Sequence, residues 1–170
     1  MKHLKIGLVL AFIGAVAGCA APRIATYSPL PFDEAEYAAL PKTGSGIVRG
    51  QVFAKTVGGD VKKGAGENVV LFPATKYGDQ RYYEQVLGGK LLSDPEDPRY
   101  VKYVIVKTAD VDGRFEFKGV PAGPYYVLSN VSWSYFESNK FGPIERKQGG
   151  QVVRKIVVKD GEVVDAILNR

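Results

Sequence analysis

The side chains that most often perform catalysis or bind metals are nearly absent from this chain. Its one histidine is His3 and its one cysteine is Cys19, so no residue after 19 carries an imidazole or a thiol. That composition excludes Ser-His-Asp and Cys-His nucleophilic catalysis, and it leaves no soft ligand for zinc or copper. Carboxylate pairs, a Ser-Lys dyad or a tyrosine could still do chemistry, but no motif indicates one. We therefore expect a protein that is not an enzyme and that uses no cofactor.

Aromatic side chains are the residues best suited to binding. Trp133, Tyr135 and Phe136 lie in one stretch of the chain, and aromatic faces suit the stacking of sugar rings. Together with Phe141 they could project past the end of a folded core as a stacking platform for sugar rings, with 136–143 as the binding loop. In the interpretation that we favour, Trp133 alternates with Val131 along a strand and faces the core.

The run Asp110-Val-Asp-Gly113 begins like a calcium-binding loop, in which alternate acidic residues precede a glycine. It lacks the further oxygen ligand before the glycine and the bidentate glutamate that such loops require. We therefore predict a hairpin turn at this position and no metal site.

The first eighteen residues have the composition of a cleaved secretion signal. Lys2 and Lys5 precede an apolar run over 6–17, which is shorter than the roughly 20 residues that span a bilayer. The run ends in Val16-Ala-Gly-Cys19, which resembles the lipobox of bacterial lipoproteins. That resemblance implies a diacylglyceryl thioether on Cys19, cleavage before it and acylation of the new amino group, so that membrane lipid would hold the chain. The alternative is an ordinary secreted protein with a buried free thiol.

The charge balance argues against nucleic acid as a partner. The chain carries 23 basic and 18 acidic residues, a formal net charge of +5, and two of the lysines leave with the signal. The remaining surplus is small, and the basic residues are scattered rather than clustered into the stripe that phosphate recognition needs.

Residues 19–45 are predicted to be a proline-rich tether after the lipidated cysteine. Prolines favour extended chain over regular structure, and four of them occur here, at positions 22, 29, 31 and 41. Within this segment, residues 32–40 could form a short helix with Asp33 as its N-cap. We favour packing of its apolar side on the domain's own surface; the alternative is a docking segment for a partner.

From residue 46 onward, alternating apolar residues and turn signals predict an all-β domain over 46–170. The predicted strands are 47–53, 68–72, 100–108, 114–117, 125–135, 151–158 and 162–168. Seven short strands with almost no helix indicate a seven-stranded antiparallel β-sandwich. Its predicted core consists of Val52, Val70, Phe72, Val104, Val106, Phe115, Phe117, Val127 and Ile156.

The run from Thr108 to Leu128 resembles the "T-D-x-x-G-x-F … L-P-x-G-x-Y" core of carboxypeptidase regulatory-like domains. These are transthyretin-like β-sandwiches, similar also to Cna-B repeats. The resemblance implies structural roles, with Gly113 at a positive φ and Phe115 and Tyr125 in the core. It implies a fold and says little about chemistry.

Residues 74–99 form an insert that is longer than the usual connection of 4–6 residues. Apolar residues at helical spacing predict a short helix at about 79–88. In one interpretation the insert folds back to cap an open end of the sandwich. In the other it contacts a partner through exposed side chains, of which Tyr77, Arg81 and Lys90 are the best candidates.

Together these features predict a membrane-anchored lipoprotein acting as a non-enzymatic protein-interaction module in a cell-envelope assembly. The alternative is a glycan- or peptidoglycan-binding lipoprotein domain, with cell-wall glycan in place of an envelope protein as the partner. The candidate binding surface comprises Tyr77, Arg81, Tyr82, Trp133, Tyr135 and Phe136. Because Ala20 and not aspartate follows Cys19, we expect the outer membrane of a Gram-negative host, with the domain facing the periplasm or exported onward to the cell surface.

Overall fold

The computed structural model describes residues 24–170. The predicted signal peptide and the lipidation site at Cys19 lie outside the described residues. Within the described part of the chain, no helix has the length and apolar character needed to cross a membrane.

Strands dominate the structure. In chain order the elements are β1 (Thr26–Tyr27), α1 (Glu34–Ala38), β2 (Gly46–Lys55), β3 (Val61–Lys63), β4 (Asn68–Pro73), α2 (Lys76–Arg81), a π-helix (Tyr82–Leu87), β5 (Leu91–Leu92), α3 (Pro98–Val101), β6 (Ile105–Thr108), β7 (Arg114–Val120), β8 (Gly123–Asn139), β9 (Gly142–Val158) and β10 (Val163–Asn169).

Two four-stranded sheets face each other, which confirms the predicted all-β sandwich. In the first sheet β10 pairs with one edge of β2, and β3 and β7 pair with the other; the second sheet has the order β6-β4-β8-β9. The additional strand is β3, which lies between the predicted strands 47–53 and 68–72. All other pairs of these two sheets are antiparallel as predicted, and the pairing of β10 with β2 departs from the prediction because it is parallel. The turn after β9 carries the chain from the second sheet to the first, so β10 is not the return strand of a hairpin.

A third layer covers the outer face of the second sheet. Val69 and Leu71 of β4 point into the core between the sheets, whereas the alternate residues Val70 and Phe72 point outward. The outward side chains pack beneath α1 and the insert in a second apolar cluster, which we call the outer core. Its buried members are Tyr37, Phe72, Tyr77, Tyr100, Tyr126 and Leu128.

The predicted core is therefore divided between two layers. Val52, Phe115, Phe117, Val127 and Ile156 are buried between the sheets as expected. The other members depart from the prediction: Val70, Phe72 and Val104 belong to the outer core, and Val106 is 51% exposed. The four residues of β6 are all exposed, because this strand forms the edge of the second sheet.

The helix predicted near residue 33 is confirmed, and it packs on the domain itself. Asp33 Oδ1 accepts a hydrogen bond from the Glu36 backbone N–H at 3.1 Å, which caps α1. Tyr37 is completely buried and stacks on Phe32 with ring centroids 4.5 Å apart. Since β1 also pairs with β5 of the insert, the chain from residue 24 onward lies against the domain. The expected free tether up to residue 45 is corrected accordingly.

The insert contains the helix that the sequence predicted, but the sequence assigned the end of the insert wrongly. The helix predicted at 79–88 appears as α2 followed directly by the π-helix. Residues 98–101 form the short helix α3 where the sequence predicted the start of a strand. Asp97 caps α3 by accepting the Arg99 backbone N–H at 2.8 Å, and Pro98 occupies the first turn, where proline favours a helix.

The turn at 110–113 is built by one carboxylate. Asp110 Oδ1 accepts backbone N–H groups from Asp112 and Arg114, both at 2.8 Å. Gly113 has a φ of +74°, as the sequence resemblance implies. The turn joins β6 to β7, which lie in different sheets, so it is an arch between the two layers and the predicted hairpin was wrong.

Candidate functional site

The most prominent feature of the surface is a two-stranded ribbon formed by the far ends of β8 and β9. Each strand is 17 residues long, and they pair continuously from Gly123↔Val158 to Asn139↔Gly142. Strand β4 pairs with β8 only as far as Leu128. The ribbon therefore extends well beyond its neighbour and offers both faces to other groups.

Trp133 and Tyr135 lie on the ribbon face that continues from the sandwich core. Trp133 is half-buried and packs against the core between the sheets, which confirms the interpretation that it faces inward. Tyr135, two residues further along, is 42% exposed. Their partners across the ribbon, Gln148 and Arg146, point to the same face because directly paired residues share a face.

These two aromatic side chains line a groove of about 520 Å³. One wall is the ribbon, with Trp133, Tyr135, Gln148 and Gly149. The opposite wall is the end of β2 and the turn after it. The complete lining is Ala54, Lys55, Thr56, Val57, Gly58, Trp133, Tyr135, Gln148, Gly149 and Arg170. We call this the ribbon groove.

The ribbon groove carries positive charge. Lys55 and Arg170 line it, and no acidic side chain does. Neither cation forms an ion pair with any residue in the range 24–170. Arg170 is held in place by a hydrogen bond from its Nη1 to the carbonyl oxygen of Gly149, at 3.0 Å.

Gly150 makes room for this arginine. A Cβ atom at position 150 would overlap the guanidinium of Arg170, and the φ of +147° at Gly150 is one that side-chain-bearing residues rarely adopt. Sequence reasoning missed Lys55, Gln148 and Arg170 as site residues. The pair Gly149-Gly150 directly before the predicted strand 151–158 was the available signal, because glycine next to or within a strand often marks a close approach of another group.

Phe136, also predicted as part of the binding surface, lies on the opposite face of the ribbon from Trp133. It is 74% exposed and pairs across the ribbon with Glu145. The predicted binding loop 136–143 is the end of the ribbon, where both strands continue almost to the turn.

The candidate residues of the insert form a separate cluster on the outer face of the second sheet. Tyr77 is buried, and Tyr82 stacks on Tyr126 with centroids 4.6 Å apart. Arg81 is largely buried and pairs with Glu96 at 3.2 Å. The expectation that Tyr77 and Arg81 are exposed was wrong. These side chains hold the insert on the sheet, whereas the alternative had placed them over an open end of the sandwich.

A second groove, of about 660 Å³, lies beside β6 and β7 and differs in chemistry. Its charged side chains are of both signs, and Arg49 bonds to Asp165 at 2.8 Å. That hydrogen bond holds the pKa of the Asp165 carboxyl below its usual value. The single aromatic residue in its lining, Phe115, belongs to the sandwich core. Charged groups of both signs and the lack of an exposed aromatic ring make this groove the weaker candidate.

Metal binding has no structural support in the part of the chain described. Within residues 24–170, no three histidine, cysteine, aspartate or glutamate side chains come together closely enough to hold an ion. Asp112, from the calcium-like run, instead pairs with Lys63 at 2.6 Å.

Comparison with known proteins identifies a relative of known structure. No family model matches the chain, and no curated protein does. The crystal structure of a Pseudomonas aeruginosa protein proposed to bind carbohydrate superposes with a TM-score of 0.69 and 30% sequence identity. The match covers 84% of this chain and 99% of that one. The chain therefore belongs to the same family as this Pseudomonas aeruginosa β-protein.

Proposed function

We propose that this protein binds glycans in the ribbon groove and that it acts without catalysis. The observation that carries the proposal is the pair of aromatic side chains, Trp133 and Tyr135, on one face of a strand inside a groove that also presents polar groups. Sugar rings stack on aromatic faces through their C–H surfaces, while their hydroxyl groups need donors and acceptors at the rim. Gln148, Arg170 and Lys55 supply those polar groups.

The geometry also favours binding because the aromatic platform is already in place. Trp133 packs against the sandwich core, so a ligand would not have to immobilise it, and less conformational entropy is lost on binding. The groove volume of about 520 Å³ falls within the range that small-molecule sites occupy. The carbohydrate binding proposed for the Pseudomonas aeruginosa relative supports the same function.

Protein interaction in an envelope assembly is the second candidate function, and the tip of the ribbon favours it. Phe136 and Phe141 are large, apolar and mostly exposed there, and apolar side chains exposed together often mark a binding surface.

For either function we propose that lipid on Cys19 anchors the protein, in the outer membrane facing the periplasm if the host is Gram-negative. The lipobox-like run before Cys19 supports this proposal.

A retention experiment tests glycan binding. Full-length protein in detergent is applied to purified cell wall and to immobilised chitin, cellulose, polygalacturonate and hyaluronan. We expect retention on at least one of these, and we expect Tyr135→Ala to weaken it about two- to tenfold, since the stacking of one ring contributes about 0.5–1.5 kcal/mol. Tyr83→Ala is the matched control, because Tyr83 is an exposed tyrosine of the insert, away from the groove.

Retention on none of the glycans would overturn the proposal, and so would equal loss in Tyr135→Ala and Tyr83→Ala. Crosslinking in intact cells, followed by mass spectrometry, tests the second function. An envelope protein captured through the ribbon tip and lost in a Phe136→Ser variant would favour protein interaction.

A further inference from the structure

Resting on the proposed function, we infer that the ribbon groove selects acidic glycans, with Arg170 as the residue that binds the sugar carboxylate. The inference specifies the class of ligand, whereas the aromatic pair alone would accept neutral and acidic sugars equally. It depends on the charge in the groove and on how the structure holds that charge.

The charge is one-sided where the ligand would lie. Two cationic side chains, Lys55 and Arg170, line the groove with no acidic side chain beside them. The nearest carboxylate along the same face of the ribbon is that of Glu137, and it is already bonded to Arg146 at 2.9 Å. A uronate would place a carboxylate opposite Lys55 and Arg170, which a neutral sugar cannot do.

The guanidinium of Arg170 is positioned but not saturated. It has five N–H donors in a planar fork. Its one side-chain hydrogen bond within residues 24–170 is from Nη1 to the Gly149 carbonyl. The remaining N–H groups can donate hydrogen bonds to a carboxylate, and the fork suits a bidentate pair. The absence of a side chain at Gly150 lets the guanidinium lie against the ribbon, beside the strand that carries Trp133.

The arrangement therefore divides recognition between two kinds of contact. Trp133 and Tyr135 would stack on sugar rings whatever their charge. Arg170, assisted by Lys55, would add a charge-assisted hydrogen bond that only an acidic sugar can make, and such bonds contribute about 1.5–3 kcal/mol, or roughly ten- to a hundredfold in affinity.

Chemical reduction of the ligand's carboxyl groups measures how much the carboxylate charge contributes to binding affinity. Polygalacturonate and hyaluronan are each compared with their carboxyl-reduced forms, which have the same backbone without the charge. Full-length protein in detergent should bind the native polymers at least tenfold more tightly than the reduced ones. Arg170→Gln should remove that preference, so that the variant binds native and reduced polymers with similar affinity.

Two further variants control for general electrostatics and for folding. Lys147→Gln removes a positive charge from the opposite face of the same ribbon, opposite Ser134, and should leave the preference intact. Lys55→Gln should reduce the preference partly, and it remains informative if Arg170→Gln lowers the melting temperature.

Each result has a distinct meaning. Equal binding of native and reduced polymers, or binding to chitin or cellulose alone, would overturn the inference and leave the proposed function standing. Loss of the preference in Lys147→Gln to the same extent as in Arg170→Gln would also overturn it, because the effect would then be net charge. Binding to no glycan would overturn the proposed function as well.

Discussion

Tyr100 shows how burial of a single side chain ties stability to pH. The residue is completely buried in the outer core, and Arg81 Nη1 donates a hydrogen bond to its hydroxyl at 3.4 Å. Burial raises the pKa of Tyr100 to about 12. Because the unfolded phenol titrates near 10, the folded state favours the neutral form. That contribution is complete below pH 10 and is lost as the pH rises through 12.

A comparison of wild type with Tyr100→Phe measures this linkage. At pH 8 the variant should be less stable, since it lacks the hydrogen bond. Between pH 10 and pH 12 the wild type alone loses about 2–3 kcal/mol through this residue, so the gap in unfolding free energy should narrow or reverse. Burial also raises the pKa values of Tyr37 and Tyr126, but both remain in the variant and cancel in the comparison. Urea titrations measure this difference in unfolding free energy, and a difference that stays constant from pH 8 to 12 would contradict the prediction.

At the scale of elements, the insert contributes to the stability of the fold. Tyr77 packs against Tyr100 with ring centroids 4.5 Å apart, and its hydroxyl accepts the Asp97 backbone N–H at 3.3 Å. These contacts join α2 to the segment before α3 and hold both on the sheet. Removing the ring would leave a cavity beneath the insert.

We therefore expect Tyr77→Ala to destabilise the protein by about 3 kcal/mol or more and to lower its melting temperature. Tyr83→Ala should change stability by less than about 0.5 kcal/mol, since that side chain is 60% exposed. Glycan binding should survive in the folded fraction of both variants, because the ribbon groove lies elsewhere. Calorimetry checks the first part, and an unchanged melting temperature for Tyr77→Ala would assign the insert to another role.

The β-sandwich could be predicted from the sequence because turn residues and the alternation of apolar and polar residues are local signals. Gly113 and Asp110 specify their turn within five residues, and Phe115 and Phe117 face inward through simple period two. The run 68–73 is different, because it is apolar on both faces and periodicity cannot say which face lies between the sheets. The third layer determines which face lies between the sheets, because it covers the other face. That layer comes from distant segments of the chain.

Trp133 and Tyr135 were identifiable from the sequence, whereas the cations beside them were not. Lys55 and Arg170 are separated by more than a hundred residues, and the parallel pairing of β2 with β10 brings their ends together. The sequence predicted both strands but gave no signal for their parallel register. Alternation likewise favoured a strand at 100–103, where the cap at Asp97 and the proline after it produce α3.

At the scale of the whole molecule, the two outer faces of the sandwich differ. The outer core and the insert cover the second sheet. The first sheet has an outer face with charged side chains in water, including the pairs Arg49–Asp165 and Lys118–Glu116. Exposed pairs of this kind add little stability, but they keep an uncovered sheet polar. The ribbon groove lies where the two sheets meet the free ribbon.

The packed N-terminal segment also limits how far the domain could lie from a membrane. Residues 24–45 lie against the domain, so only residues 20–23 separate Cys19 from its first described residue. Fully extended chain spans at most about 3.6 Å per residue, which is roughly 18 Å over that distance. If Cys19 carries lipid, the domain works close to the membrane surface, and the ligand must be present there.

Replacing Cys19 separates lipid anchoring from glycan binding as causes of membrane association. Two or three acyl chains at about 0.8 kcal/mol per buried methylene hold a protein almost permanently, so the wild type should float with outer-membrane vesicles on a density gradient and resist salt washing. Cys19→Ala should move to the soluble fraction while still binding glycan, because residue 19 lies outside the groove. Tyr135→Ala should show the reverse, with membrane association retained and glycan binding weakened. If membrane association persists in Cys19→Ala and is lost only when Tyr135 is also replaced, glycan binding and not lipid causes the association. A wild type that floats with the inner membrane would contradict the proposed location.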